Sequence, residues 1–383
     1  MNAATCTVRA ARIEGQASQS GRGAAADGAV ASRMSSREPG RPSAARWIVL
    51  LLMATTLCGT ATAEPGAKTP PEFRIAGSPW VGDAPTRIAA ELGYFNPPEH
   101  DTRTREVIRV EQYDTGKQAF EALLGEEVEF ALAAPEPVAI GLLRRTVTSR
   151  DPGDDVVILA SVTLSNLSHH VVTDRRRGIE RPVQLAGRRI GLVLDTSAHH
   201  AWDRFAEFHG MASDSVTLVD MPIGELAEGL ARGHIDAAVT WDPWVEPITE
   251  TLGDQAVVFS MRELHAVDWL LVTRREIALA RPDITDRVLR GYLRAIDHIY
   301  RNPDALHTPP PSNIIWHINL GWSVLSNLDT QFEWLRRRPE FARSYLPKPG
   351  QYLEAGPLSR VAPHRVKLPA YIHSPARPAE PGP

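Results

Sequence analysis

Two stretches of this chain carry the same succession of short patterns, and that repeat restricts its folds more than any other feature. In the first, Phe73-Arg74-Ile75-Ala76 reads as a strand, a loop runs from Gly77 to Asp83, and a helix ends at Leu92-Gly93-Tyr94-Phe95. In the second, Arg189 to Leu194 reads as a strand, followed by a loop and a helix ending at His209-Gly210-Met211. The spacing from Ala84 to Gly93 equals that from Ala201 to Gly210, with Arg87/Arg204 and Ala89/Ala206 in register. Downstream, helical apolar spacing from Gln118 to Leu124 stops at Gly125 and gives way to Val128-Glu129-Phe130-Ala131-Leu132. Its counterpart runs from Leu226 to Leu230, stops at Gly233 and continues as Ile235-Asp236-Ala237-Ala238-Val239. Strand, loop, helix, then helix, glycine, strand is parallel α/β construction. Ligands in such sheets sit at the carboxyl ends of the strands, here the loops at 78–83, 134–137, 195–199 and 241–244.

The segments around the repeat extend this plan. Asp155 to Thr163 is a buried-strand run leading through Ser168 to Val171-Val172, and Trp269-Leu270-Leu271-Val272 is another strand after the second half. Two extended crossings on either side of the second half imply a discontinuous first lobe and a hinge. Ile284 to Tyr300 has apolar residues at 288, 289, 292, 293 and 296 and is an amphipathic helix, with Asp283 or Thr285 as its expected cap. Beyond Asn302 come Pro-rich loops, more helix around 322–335, and a tail from His373 expected to lack order. The expected parts are 1–63, a leader and secretory signal; 64–165, lobe 1, first part; 166–265, lobe 2; 266–345, lobe 1, second part, with C-terminal helices; and 346–383, an extension.

The signal rests on Trp47 to Leu57, an apolar run that follows Arg41 and Arg46 and leads into Ala61-Thr62-Ala63. A run this short cannot span a bilayer, which takes about 20 residues. The pattern is that of a secretory signal cleaved after Ala63. Met34 would open a signal of ordinary length, and Leu57 before Cys58 is too large for a lipoprotein site. The mature chain is thus expected in the periplasm without a membrane span. Seven arginines and three acids leave with the leader, so 35 basic face 43 acidic residues, a net charge near −8. That balance argues against nucleic acid as a partner. Both cysteines, Cys6 and Cys58, also leave, removing disulfides, thiolate nucleophiles and cysteine-ligated metal.

Several of these segments are similar to a known family. They are Leu185-Ala186-Gly187-Arg188-Arg189-Ile190-Gly191, Thr196-Ser197-Ala198-His199, Gly233-His234-Ile235-Asp236-Ala237-Ala238 with Trp241-Asp242-Pro243, and Ala89-Ala90-Glu91-Leu92-Gly93-Tyr94-Phe95. Over about residues 72–300 the chain resembles the nitrate/sulfonate/taurine and thiamine-precursor (NMT1-like) group of solute-binding proteins of ABC transporters. The resemblance implies a two-lobed α/β periplasmic-binding-protein fold (type II-like), each lobe a mostly parallel sheet flanked by helices, joined by a two-strand hinge. It also implies a monomer that hands a small molecule to an ABC permease and its ATPase. Where many relatives carry glycine before the Ser/Thr-Ser-Ala-His segment, this chain has Asp195, a carboxylate that would repel an anion.

Eight residues are the expected ligand contacts. Ser197 stands where the second-lobe helix begins; its hydroxyl would cap that helix and turn free N–H groups toward the cleft, with Thr196 beside it. Trp80 in the first loop suits stacking on a planar or aliphatic body, against a buried structural role as the competing reading. Trp241 is the choice of the Trp241/Trp244 pair. Glu136 and Asp242 end equivalent strands and suit a cation such as an amine, or else a hinge-closing salt bridge or a helix cap. Thr163 ends the crossing strand as a hydrogen-bond donor, and His199 is a pocket wall. His169-His170 and His199-His200 do not by themselves make zinc ligands, since adjacent side chains of a strand point to opposite faces and no H-E-x-x-H is present. No metal, cofactor or catalytic residue is expected. An enzyme of the thiamine-pyrimidine type would carry a cysteine-rich segment that the mature chain lacks; a ligand sensor of the same fold is the other alternative. The cargo stays open between a sulfonate or taurine, nitrate and a thiamine-pyrimidine fragment.

Overall fold

The structure, a computed structural model, describes residues 71–99, 106–148, 156–166, 169–262, 264–306, 314–342, 344 and 346–369. The leader, the signal and its cleavage point, and the tail from His373 lie outside the described residues. Among the described residues no helix is long and apolar enough to cross a membrane.

The first half runs β1 (Glu72–Gly77), α1 (Ala84–Glu91), β2 (Val107–Gln112), α2 (Gly116–Leu124), β3 (Phe130–Ala133), α3 (Pro135–Thr148) and β4 (Val156–Ser165). The second half follows as β5 (His169–Asp174), β6 (Arg189–Leu192), α4 (Ser197–Phe208), β7 (Thr217–Asp220), α5 (Leu226–Ala231), β8 (Ala237–Trp241), α6 (Val245–Leu252) and β9 (Ala256–Ser260). The chain returns through β10 (Val267–Arg274), α7 (Arg275–Ala280), α8 (Pro282–Arg301), β11 (Ile314–Gly321), α9 (Trp322–Arg336), α10 (Ala355–Val361) and β12 (Val366–Lys367).

The strands form two sheets, ordered β12-β11-β4-β10-β3-β1-β2 and β7-β6-β8-β5-β9. The same arrangement lies inside both. Three strands pair in parallel in each, β2-β1-β3 in one and β7-β6-β8 in the other, and an antiparallel strand that has just crossed between the sheets follows them, β10 in one and β5 in the other. The chain leaves the first sheet after β4 and returns to it at β10, which makes that sheet discontinuous in sequence.

Local chemistry sets the repeat. Gly93 and Gly210 both sit in the left-handed region, at φ 68°, where a side chain is strained. Each follows its helix, and the next residue closes the end: Tyr94 N–H donates to the Ala89 carbonyl and Met211 N–H to the Ala206 carbonyl, both at 2.8 Å. The apolar runs become buried central strands, with nearly every residue of β4 and β10 inside. In β5, Val171 and Val172 point to opposite faces and enter two separate cores, one under α4 with Trp202, the other under α5 and α6 with Leu226. The larger sheet has one continuous core, into which α8 turns Val288, Leu289, Tyr292 and Ile296.

The structure corrects the sequence reading in three places. The helix at 284–300 begins earlier, at Pro282, with Arg281 at its N-cap; neither Asp283 nor Thr285 caps it, and the Thr285 hydroxyl donates to the Arg281 carbonyl. Proline at the first position explains the start, because its missing N–H costs nothing there. The strand at 189–194 stops at Leu192. Leu194 N–H donates to Asp220, and Asp195 takes φ 63°, which ends the extended run. Beyond 302, where loops and helix but no strand were expected, the chain also contributes β11 and β12 to the larger sheet.

Candidate functional site

Two helices of at least two turns point their N-termini into one crevice between the sheets. The first is α2, whose end is a capping box: Gln118 N–H donates to the Thr115 hydroxyl at 3.2 Å, and Thr115 N–H to the Gln118 side chain at 3.1 Å. The second is α4, capped by Thr196, whose hydroxyl accepts from Ala198 N–H at 3.3 Å and donates to the Val193 carbonyl at 2.7 Å. The expected cap, Ser197, is instead the first helical residue, and its hydroxyl bonds His169 Nε2 at 3.0 Å. Burial holds the His169 imidazole well below its ordinary range, so a neutral ring faces Ser197.

The cavity between these ends measures about 30 Å³, room for roughly two waters. Trp80, Trp241 and Trp269 form its apolar walls, with Ser78, Lys117 and His169 among the polar ones. Trp80 is buried and meets Trp269 edge-on at 4.9 Å. Gly116 lets Trp269 lie over the start of α2, since a Cβ there would stand 2.5 Å from the indole and 3.1 Å from the Ala133 Cα. The Lys117 ammonium reaches across to the Leu194 carbonyl at 3.2 Å. No carboxylate lines the cavity among the described residues.

The acids near the cleft are occupied elsewhere. Asp195, at the entrance to α4, pairs with Arg144 at 2.5 Å and Arg338 at 3.0 Å. Burial alone would raise its pKa, but the two guanidiniums outweigh that and hold the carboxyl below its ordinary range. The repulsion expected of Asp195 toward an anion is thereby cancelled locally. Asp83 is buried behind Ser78, accepting its N–H at 2.6 Å and the Thr86 hydroxyl. Burial pushes its pKa up to about 7, against which those hydrogen bonds act.

Of the eight expected contacts, the structure brings Trp80, Thr196, Ser197 and Trp241 to the cavity. It does not bring the other four. Glu136 is 1% exposed and faces His200 at 3.1 Å and His265 at 3.4 Å, so the reading as a tie between lobes describes its place better than an amine site. Thr163 is fully buried and donates to the Gly82 carbonyl at 2.6 Å. His199 packs edge-on against Trp334 at 5.6 Å, and burial, then Arg338, lowers its pKa to about 4. Asp242 lies outside the lining, where burial raises its pKa. The reading from sequence missed Ser78, Lys117, His169 and Trp269 as cavity walls; the capping pattern Thr115-x-x-Gln118 was the available signal for the α2 end. The helix expected around 322–335 is α9, but the reading missed its contact with the second half: Trp334 donates to Asp203 at 2.9 Å and packs on His200 at 4.8 Å.

Two α/β lobes, two connecting crossings and a cleft at the carboxyl ends of the strands define the two-lobed periplasmic-binding-protein class. The chain belongs to the NMT1/THI5-like family, whose profile matches residues 84–306. A putative aliphatic sulfonates-binding protein of Bacillus subtilis (strain 168) is 22% identical over 252 residues, 65% of this chain and 71% of the relative. The taurine-binding periplasmic protein of Escherichia coli (strain K12) is 24% identical over 206 residues, 53% of this chain and 60% of the relative. The alkanesulfonate-binding protein SsuA of Xanthomonas axonopodis pv. citri bound to MOPS superposes with a TM-score of 0.58 at 18% identity, over 79% of this chain and all of that one.

Proposed function

We propose that this protein is exported to the periplasm, captures a small alkanesulfonate in the cleft between its lobes and delivers it to an ABC permease and its ATPase. The convergence of the α2 and α4 N-termini, with Lys117 beside them, on a tryptophan-walled cavity carries this reading. Free N–H groups and the positive dipole ends suit three sulfonate oxygens, and the indoles suit an alkyl tail. The named relatives bind aliphatic sulfonates and taurine, which agrees with this chemistry. A lining without a carboxylate favours a plain sulfonate over taurine, whose ammonium would go unpaired, and the indoles favour it over nitrate, which has no apolar body. A cavity of about 30 Å³ is too small for such a molecule, so capture requires the lobes to part and to close less tightly around it. Ligand selects the reclosed form because only that form contacts it from both sides.

Calorimetric titration with methanesulfonate, butanesulfonate, taurine, nitrate and a thiamine-pyrimidine fragment tests this. Micromolar binding, about −8 kcal/mol, is expected for the alkanesulfonates, weaker for taurine. Trp80→Ala with Ser197→Ala should weaken it at least tenfold. Unchanged affinity in that double variant would place the site elsewhere, and tightest binding of the pyrimidine would replace the substrate class.

A further inference from the structure

We infer that Glu136, His200 and His265 form a binding site for a transition metal, zinc by preference, that ties the two lobes together beside the cleft. The three residues come from separate parts of the chain. Glu136 opens α3 on the larger sheet, His200 lies in the first turns of α4 on the smaller one, and His265 sits in the return crossing between β9 and β10. Their ligand atoms nevertheless lie within 4.8 Å of one another, with all three side chains buried.

Two of the three spacings lie near those a metal imposes, and the third, between the imidazole nitrogens, is no more than 4.8 Å. Zinc bonds to imidazole nitrogen and carboxylate oxygen are about 2.0–2.2 Å, so the edges of a tetrahedron around it are roughly 3.3–3.5 Å. Glu136 Oε1 stands 3.1 Å from His200 Nδ1 and 3.4 Å from His265 Nε2. Two further atoms are poorly served without a cation. Glu136 Oε2 and His265 Nε2 are buried and make no hydrogen bond, an expensive condition for polar atoms out of water. Among the described residues no lysine or arginine pairs with Glu136, which contacts the imidazoles of His200 and His265. Two imidazoles and one carboxylate suit zinc, nickel or copper better than magnesium or calcium. The rings are held in place by neighbours: His200 against Trp334 at 4.8 Å, His265 against His169 at 5.1 Å. His169 and Pro137 also line the cleft, so the metal site would adjoin it.

This inference stands apart from the sulfonate reading, and its test contains no sulfonate. Purified protein is stripped with a chelator, then titrated with zinc by calorimetry, with bound metal counted by mass spectrometry after dialysis. One zinc per chain is expected, weakened roughly 100-fold or more in His265→Gln and in His200→Gln, given that even outer-sphere partners are worth 10–100-fold. His234→Gln, far from the cluster in sequence, should bind like the parent. Cobalt(II) in the parent should give the strong visible absorption of a tetrahedral site, lost in His265→Gln. If His200→Gln does not fold, His265→Gln on the crossing and the cobalt spectrum still decide. No stoichiometric zinc, or zinc binding equal in parent and His265→Gln, overturns the site.

Discussion

The two halves solve the same electrostatic problem in opposite ways. Each sheet places an aspartate at the entrance to the helix after its first strand, Asp83 before α1 and Asp195 before α4. Asp83 is sealed beneath the crevice with hydroxyl and amide partners and no cation, and its pKa rises to about 7. Asp195 is held ionised by Arg144 and Arg338. The halves therefore present different helices to the cleft. In the second half, α4 follows the first strand and is open at its N-terminus; in the first, Asp83 occupies that place, and α2, which follows the second strand, supplies the open end. Two halves that share a strand order can thus offer the cleft helix ends that differ by one unit.

Opposite pH dependence is the sharpest way to break this contrast. Asp83 has a folded pKa raised above its unfolded value near 3.8, so its contribution to stability is full below about pH 4 and is lost as pH rises through about 7. Asp83→Asn keeps an acceptor for Ser78 N–H and can donate to Thr86. It should flatten stability between pH 4 and 7 and stabilise the protein at pH 8 by roughly 3–4 kcal/mol, as three pKa units imply. Urea unfolding across that range would show it; an unchanged slope in Asp83→Asn would remove the first half of the comparison.

Asp195 should behave in reverse. Its folded pKa is depressed, so its contribution is present above about pH 4 and lost as pH falls through the folded value. Replacing both Arg144 and Arg338 by Met leaves a mostly buried carboxylate unpaired at the α4 end, at a cost of about 2–3 kcal/mol at pH 7. Adding Asp195→Asn to that variant should restore most of the loss. If it does not, packing of Arg338 against Trp334, at 5.3 Å, explains the effect and the charge argument falls.

Lys117 supplies the one cation at the cavity wall among the described residues. Lys117→Met should weaken methanesulfonate binding by about 1.5 kcal/mol, near tenfold, the low end for a hydrogen bond to a charged group. Calorimetry in low and high salt would separate this from a packing effect, because the lost term should shrink as salt rises.

How much of this could be read from the sequence follows from how local each signal is. Glycines after helices and the paired apolar runs are short-range, and they gave both helix ends of the repeat and the order of its strands and helices along the chain. Four cavity residues came with them, since Trp80, Thr196, Ser197 and Trp241 lie at or just beyond strand ends. What failed depends on distance. Glu136 looks like a free strand-end acid until His200 and His265 arrive from other segments. Asp195 looks like a repellent charge until Arg144 and Arg338 fold onto it. Trp269 reads as a core strand residue, yet the glycine at 116 lets its ring reach the cavity. β7, four residues of mixed exposure, carries little periodicity to detect, whereas β11 alternates, Trp316, Ile318 and Leu320 buried with His317 and Asn319 between them, a strand signal the reading passed over.

The smallest effect compares the two open helix ends directly. Thr115 gives its α2 one bond from the Gln118 amide, while the other half of the capping box, Thr115 N–H to the Gln118 side chain, does not need the hydroxyl. Thr115→Ala should therefore cost about 1 kcal/mol. Thr196 holds two bonds through its hydroxyl, one from the Ala198 amide and one to the Val193 carbonyl that fixes the turn out of β6. Thr196→Ala should cost somewhat more, about 1.5 kcal/mol, within the usual range for caps. Thr→Ser at each position keeps the oxygen and should recover most of the loss. A larger cost at Thr115 than at Thr196 would mean that the α2 end depends more on its cap than the hydrogen bonds imply, and would make the first half the better-ordered anion end.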